Sequence, residues 1–452
     1  MADVYKFGGT SMGSPRGLEA SEHLLFSGSS GPRVVVVSAP SGVTNLLLEG
    51  YNAQAAGNAF PEQTFRSLET RFRETYQQVH NAQHWIDDAF GEQGELQRRI
   101  QRGENQLAQS EKSYQYARLA SFGEYFNQQL FTHFLSARGH NVRSAPMTLV
   151  RFTGNPTRAE YDRASDSSIK EYVHDGFNGT TVFAGYYGYE NNSRVLVFDR
   201  GGSDYSQTLI ARAIGATKAI NCTDVDGIKA IDPRLIKNET RRNNVPTLHH
   251  VDYRIAQLLS HNGAKVLHAR CLEPLIEASI PMEVRNTFNP DGKYTLINHH
   301  HDTDPQLLAV TGKKDSFRRL TLLTGTMDVP GYLQRVAQAF EGINIETITT
   351  SPIGIEVSTN DADANLEEVK QRLQDLGEVK YGNGSSMVAL IGNQLGKIPG
   401  EIAKAFRILG ERQIYIEQIS KAGPQSVWFD VPHDRFEEAI IALYENLLER
   451  RD

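Results

Sequence analysis

Apolar and polar positions recur along this chain in three rhythms. Near the start, "VYKF" and "PRVVVVSAP" are short β-branched runs. The second is continuously apolar, as expected of a strand buried on both faces. Residues 60 to 112 are rich in Gln, Glu and Arg and read as surface helices. In "YARLASFGEYFNQQLFTHFLSARGH" the apolar positions Leu119, Phe122, Phe126, Leu130 and Phe134 recur at three- and four-residue spacing. That period predicts one amphipathic helix. Glu124 falls roughly opposite the stripe, where a carboxylate is ordinarily solvated. "TVFAGYYG", "TKAINCTDVDGI" and "PMEVRNTF" read as further short strands. Strands alternating with helices predict an α/β fold with a mainly parallel sheet covered on both faces. Ligands in such sheets sit at the carboxyl ends of strands.

The last third changes rhythm. "RRLTLLTGTMDVPGYLQRVAQAFEGINIETITTSPIGIEVST" reads strand, turn, helix, strand, strand, and "SMVALIGNQLGKIPGEIAKAFRILGERQIYIEQISKAGPQSVWFDV" reads the same way. Pro330-Gly331 and Pro399-Gly400 open the two helices, and "INIETI" matches "IYIEQI" at Ile343/Ile414, Ile345/Ile416, Glu346/Glu417 and Ile348/Ile419. A repeat of this size predicts two copies of one supersecondary unit, each a small βαββαβ module. The polar "HHHDTDPQ" marks the boundary, giving a catalytic region over 1–300 and modules over 315–385 and 386–452.

Composition narrows the function classes. The length of 452 residues suits about three domains. A formal net charge of −7 and a pI near 6.1 argue against an electrostatic nucleic-acid binder. No apolar run approaches the roughly 18 residues of a membrane span, and the opening residues lack a signal-peptide pattern. Cys222 and Cys271 fit a reducing cytoplasm better than a disulfide framework. His299, His300 and His301 form a tract that could bind metal, but an exposed polar loop is the favoured reading.

Five stretches could carry chemistry. In "KFGGTS" Lys6 stands beside Gly8, Gly9 and Thr10. Glycines let the backbone approach a ligand, successive N–H groups cradle an anion, and a lysine adds a mobile charge. A strand ending in a glycine turn is the alternative. "SAPSGVTN" offers Ser38 and Thr44 to a small polar ligand, or Thr44 as a helix cap. "SFGE" contains Glu124. "DRGGSDYS" sets a second glycine pair between Arg200 and Asp204, where a helix start and an arginine could hold a carboxylate. "TDVDGIKAIDPR" has the turn dipeptides Asp226-Gly227 and Asp232-Pro233 and could border a nucleotide. Two glycine pairs with flanking cations suit two anions, and phosphoryl transfer needs mainly positioning and charge neutralisation. The P-loop and protein-kinase motifs are absent from the sequence.

Taken in order, "KFGGTS", "SAPSGVTNLL", "SFGE", "DRGGSDYS", "TDVDGI…DPR" and "GAKVLH" resemble the aspartokinases of the amino-acid kinase family, and the repeat resembles their two C-terminal ACT domains. The resemblance spans nearly the whole chain. It implies an amino-acid kinase fold, a parallel sheet sandwiched by helices, followed by two βαββαβ ACT domains. It implies ATP-dependent phosphorylation of the β-carboxylate of L-aspartate to 4-phospho-L-aspartate, the first step towards lysine, threonine and methionine. ATP is then co-substrate, with Mg2+ held largely by phosphates and water and no protein metal cluster.

By the same resemblance, Lys6 neutralises the transferring phosphoryl group and Asp204 organises Lys6. Gly8, Gly9 and Thr10 cradle the ATP phosphates. Ser38, Thr44, Glu124, Arg200, Gly201, Gly202 and Ser203 form the aspartate site, with Glu124 facing the ammonium and Arg200 the α-carboxylate. Thr223, Asp224, Lys229, Arg234, Lys265 and Val266 border the nucleotide. The ACT pair implies feedback by lysine or threonine at Gly331, Tyr332 and Leu333 with Asn344, Ile345 and Glu346, and a cytoplasmic homodimer joined through these modules. Departures are Asp199 before the RGGSD run, "GYYG" at Gly185 to Gly188, Lys229 where an aromatic is common, and the lack of a proline after His268. Two alternatives stay open: a kinase for another amino acid, and a catalytically weak, amino-acid-sensing protein of the same fold.

Overall fold

The computed structural model describes residues 2–27, 31–104, 109–191, 193–199, 201–263, 267–299, 304–324, 330–361, 364–420 and 423–449. Arg200, Lys265, Val266, His300 and His301 lie outside them. The chain divides into two compact units, one holding 1–228, 247–260 and 265–301, the other 229–246, 261–264 and 302–452.

The first unit is built on an eight-stranded sheet. Its order is His250–Asp252, Thr295–Asn298, Met282–Asn286, Ala219–Thr223, Asp3–Phe7, Arg33–Val37, Thr180–Ala184, Val142–Ser144. Six neighbouring strands are parallel, and Thr295–Asn298 turns antiparallel against Met282–Asn286. The β-branched run Val34 to Val37 is fully buried at the centre, as its lack of alternation predicts. The carboxyl ends of the central strands deliver Gly8, Ser38, Gly185 and Asp224 to one edge.

The long amphipathic segment is two helices, Gln109–Ala120 and Phe122–Ala137, with Ser121 between them. Leu119, Phe122, Phe126, Leu130 and Phe134 are all buried. The polar face is buried too, which the apolar stripe did not foretell. Asn127 accepts from the Tyr76 hydroxyl at 2.6 Å and donates to the Ser38 carbonyl at 2.8 Å. Gln128 donates to the Ala145 and Val182 carbonyls at 2.9 and 2.7 Å. Amides supplied with carbonyl partners can be buried at little net cost. The polar stretch from residue 60 forms helices Glu62–Thr75, Ala82–Phe90 and Glu95–Glu104. Their inward Leu68, Phe72, Ile86, Phe90, Leu96 and Ile100 join the core around Phe122 and Phe126.

In the second unit six antiparallel strands run in the order Thr347–Ser351, Gly354–Thr359, Gln306–Leu323, Glu378–Asn393, Ser426–Pro432, Gln418–Ser420. The repeat is visible in it. Gly331 and Gly400, both at left-handed φ (85° and 80°), start helices Tyr332–Ala339 and Glu401–Glu411. The modules nevertheless share strands. Gln306–Leu323 pairs with Glu378–Asn393 from Gln306↔Asn393 to Leu323↔Glu378, so residues 306–313 lie against the second half of the repeat. Among the described residues no helix is long and apolar enough to cross a membrane.

Candidate active site

A cavity of about 580 Å³ opens in the first unit where the central strands end. Lys6, Ser38, Thr44, Glu124, Gly201, Gly202, Ser203 and Asp204 all face it, although they come from four separate stretches of sequence.

Lys6 is the fourth residue of strand Asp3–Phe7. It is in register with Asn221 on the adjoining parallel strand. Parallel neighbours in register present their side chains to one face, and both reach Asp204 in the first turn of helix Gly202–Ile214. Lys6 Nζ lies 2.5 Å from Asp204 Oδ1, and Asn221 Nδ2 donates to the same oxygen at 3.0 Å. The helix is fixed against the sheet by Gln207, whose amide donates to the Val4 and Ile220 carbonyls at 2.9 Å each. Gly201 precedes the helix at φ 77°, and a Cβ there would stand 2.7 Å from His268 Cβ. The turn therefore needs glycine, and it leaves the helix's first N–H groups open to an anion.

Gly8 and Gly9 follow Lys6. The Gly9 carbonyl accepts from Ser41 N–H at 3.0 Å, tying this turn to the one after Val37. A Cβ on Gly9 would sit 3.0 Å from the Ala39 carbonyl oxygen. Thr10 is exposed beside them. Thr223 and Asp224 end the adjoining strand, with the Thr223 hydroxyl donating to Asp224 at 3.2 Å.

Glu124 reverses its expected setting. Its residue is 5% exposed, and among the described residues Oε2 has no hydrogen-bond partner. Burial pushes its carboxyl from an ordinary 4.5 up to about 8, against the smaller pull of the Ala39 and Glu124 backbone N–H groups. A buried acid with one carboxylate oxygen left over, facing a polar cavity, is suited to a cationic ligand group.

The remaining sequence-derived positions divide. Lys229 and Arg234 belong to the second unit. There Arg234 forks onto Asp232 of its own turn, at 2.9 and 2.6 Å. Of the effector positions, Tyr332 is turned into the module core, its hydroxyl donating to the Leu376 carbonyl at 2.7 Å. It is thus occupied by packing, while Leu333 is exposed. Glu346 is held by Lys313 at 2.9 Å, and Asn344 donates to it at 3.3 Å. Ile345 packs partly buried against that core. His299 stands edge-on to the Tyr253 ring.

Sequence reasoning passed over three residues. Asn221 was legible only as a lone amide in an apolar strand. Tyr116 and Tyr186 line the cavity, and Tyr186 holds φ 73°, a strained conformation for a side chain of its size. The "GYYG" departure is its signal. Asp199 also lines the cavity, with Arg158 Nε 3.7 Å away.

Known proteins match this architecture. The model of the amino acid kinase family matches residues 1–286, and an ACT domain model matches residues 388–447. The chain is 28% identical to lysine-sensitive aspartokinase 3 of Escherichia coli, over 99% of both chains. A solved structure of E. coli aspartokinase III with aspartate and ADP, in the R-state, superposes with a TM-score of 0.82 at 24% identity, covering 99% of this chain and 100% of that one. The same E. coli enzyme with lysine and aspartate, in the T-state, gives 0.74 at 25% identity, covering 99% and 100%.

Proposed function

The chain belongs to the amino acid kinase family, and from that premise we infer that it is an aspartokinase, transferring the γ-phosphoryl group of Mg-ATP to the β-carboxylate of L-aspartate. The observation that carries this reading is the pairing, in one cavity, of the Lys6–Asp204 couple with the buried Glu124, whose Oε2 has no partner among the described residues. The substrate has an ammonium and two carboxylates. Glu124 takes the ammonium. The N-terminus of helix Gly202–Ile214 and Arg200, by its resemblance to the family arginine, take the α-carboxylate.

The chemistry then needs no protein nucleophile. A β-carboxylate oxygen forms a bond to the γ-phosphorus while the bond from that phosphorus to the bridging oxygen of ADP breaks. The products are 4-phospho-L-aspartate and ADP. Charge builds on the equatorial oxygens and on the leaving oxygen, where a cation stabilises it. Lys6 is that cation. Asp204, itself held by the Asn221 amide, fixes its ammonium at the strand end, so little reorganisation is needed at the moment of transfer. Gly8, Gly9 and Thr10 offer backbone and hydroxyl donors to the phosphates, and Thr223, Asp224, Lys229, Arg234, Lys265 and Val266 are assigned to the nucleotide by resemblance.

The two C-terminal modules, within 315–385 and 386–452, are read as ACT domains that dimerise the chain and take an amino-acid effector. Lysine leads threonine because one neighbour holds lysine in its T-state. An amino-acid sensor of weak activity is the second reading. Asp199 favours it, being an acid on the wall of a cavity that must admit a dicarboxylate.

The test is ADP release from Mg-ATP with L-aspartate, L-glutamate or no acceptor, each with and without lysine and threonine. Aspartate-dependent turnover suppressed by one amino acid is expected. Folded protein that binds lysine or threonine but releases no ADP would replace this reading with the sensor.

A further inference from the structure

A second recess, of about 160 Å³, lies in the first unit between helices Glu95–Glu104 and Gln109–Ala120 and the hairpin of strands Tyr187–Glu190 and Arg194–Val197. It shares no lining residue with the larger cavity. Arg98, Arg99, Arg102 and Arg118 converge on it, against the one carboxylate, of Glu95, among the described lining residues. That carboxylate is already engaged: Oε1 accepts from Arg99 Nε at 2.7 Å and Oε2 from Arg98 at 3.0 Å.

Arg99 is buried and rigidly held. It donates to the Arg118 carbonyl at 2.7 Å and the Ser121 hydroxyl at 3.2 Å, and its guanidinium lies over the Phe122 and Tyr125 rings. Arg118 is half-buried and donates to the neutral Gln115 Oε1 at 2.9 Å. Burial, then the charges of Arg102 and Arg99, hold its guanidinium below its ordinary pKa, with Glu111 giving a smaller opposing pull. Among the described residues neither Arg102 nor Arg118 pairs with a carboxylate. Like charges gathered in a recess repel, and an anion relieves that cost. Guanidinium forks fit the oxygens of phosphates and carboxylates bidentately.

We propose that this recess binds a small multivalent oxyanion, either a phosphate compound or a polycarboxylate. Occupancy would bear on aspartate binding, because Arg99 grips Ser121 at the start of the helix that carries Glu124, and Phe122 and Tyr125 flank that acid. This consequence rests on the role given to Glu124 above; the binding itself does not.

Titration calorimetry of the full chain at low ionic strength, with inorganic pyrophosphate and citrate as probes, tests it. Lys6→Ala is the background, since it removes a cation that lines the larger cavity. Saturable binding of at least one probe is expected, weakened about tenfold by Arg102→Gln and by Arg118→Gln and weakened by salt. Preference for pyrophosphate identifies a phosphate site, and preference for citrate a polycarboxylate site. No saturable binding at millimolar probe, or binding that both arginine variants leave intact, overturns the proposal. Arg102 is exposed, so its variant keeps the test decisive if Arg118→Gln does not fold.

Discussion

Replacing Glu124 by Gln should make the protein more stable and a poorer aspartate enzyme at once. The substitution keeps shape and removes the charge. In the unfolded chain Glu124 ionises near 4.5; in the fold it holds its proton up to about 8. Between those values the folded state binds more protons than the unfolded one, so wild-type stability falls as pH rises through this window and levels off above it. At roughly 1.4 kcal/mol for each pH unit, the ceiling of that loss is about 5 kcal/mol. The Gln variant escapes it. Its advantage over wild type should be small at pH 4, grow through pH 7 and reach a plateau above pH 8, as read by denaturant unfolding across pH.

Ligand linkage gives an independent reading of the same group. At pH 7 a carboxyl titrating near 8 is about nine-tenths protonated, and it must ionise to pair with the aspartate ammonium. Aspartate binding at pH 7 should therefore release about 0.9 proton, measurable by calorimetry in buffers of different ionisation enthalpy. The Gln variant should release none, and its KM for aspartate should rise by about two orders of magnitude, the cost of leaving a buried ammonium unpaired. A variant with unchanged aspartate KM, or a stability difference that does not depend on pH, would refute the reasoning.

Lys6→Ala should fold with a wild-type circular dichroism spectrum and lose at least about a thousandfold in kcat, because Asp204 keeps its Asn221 partner while the phosphoryl charge loses its cation; near-normal ADP release would remove Lys6 from the mechanism. Gly201→Ala should destabilise by at least about 1–2 kcal/mol from the left-handed backbone alone, with further loss from the contact at His268, seen as a lowered thermal midpoint. Cys222 and Cys271 are buried with their thiols pushed well above the ordinary range by burial. Iodoacetamide at pH 8 should label neither until the protein is denatured, and labelling in the native state would count against their burial.

Local rules carried much of this molecule in the sequence. The continuous run at Val34 to Val37 announced a two-sided strand. Pro-Gly pairs at 330 and 399 announced two equivalent helix starts, and both glycines are left-handed. Lys6 and the two glycine pairs pointed to an anion site, which remains a proposal, since side-chain type and backbone permissiveness are properties of a few adjacent residues. What the sequence by itself could not determine depends on who packs against whom. Glu124 occupies a polar position on an amphipathic helix, and only the layer of helices around it makes that position dry. Asn221 became a partner of Asp204 through parallel register with Lys6, a pairing across more than two hundred residues. The strand shared by the two C-terminal modules is a choice among equally β-prone edges, and pairing is decided by long-range geometry. Desolvation and register are collective properties of the fold. A carboxylate's charge is written in its residue, but the energy of that charge is written in its surroundings.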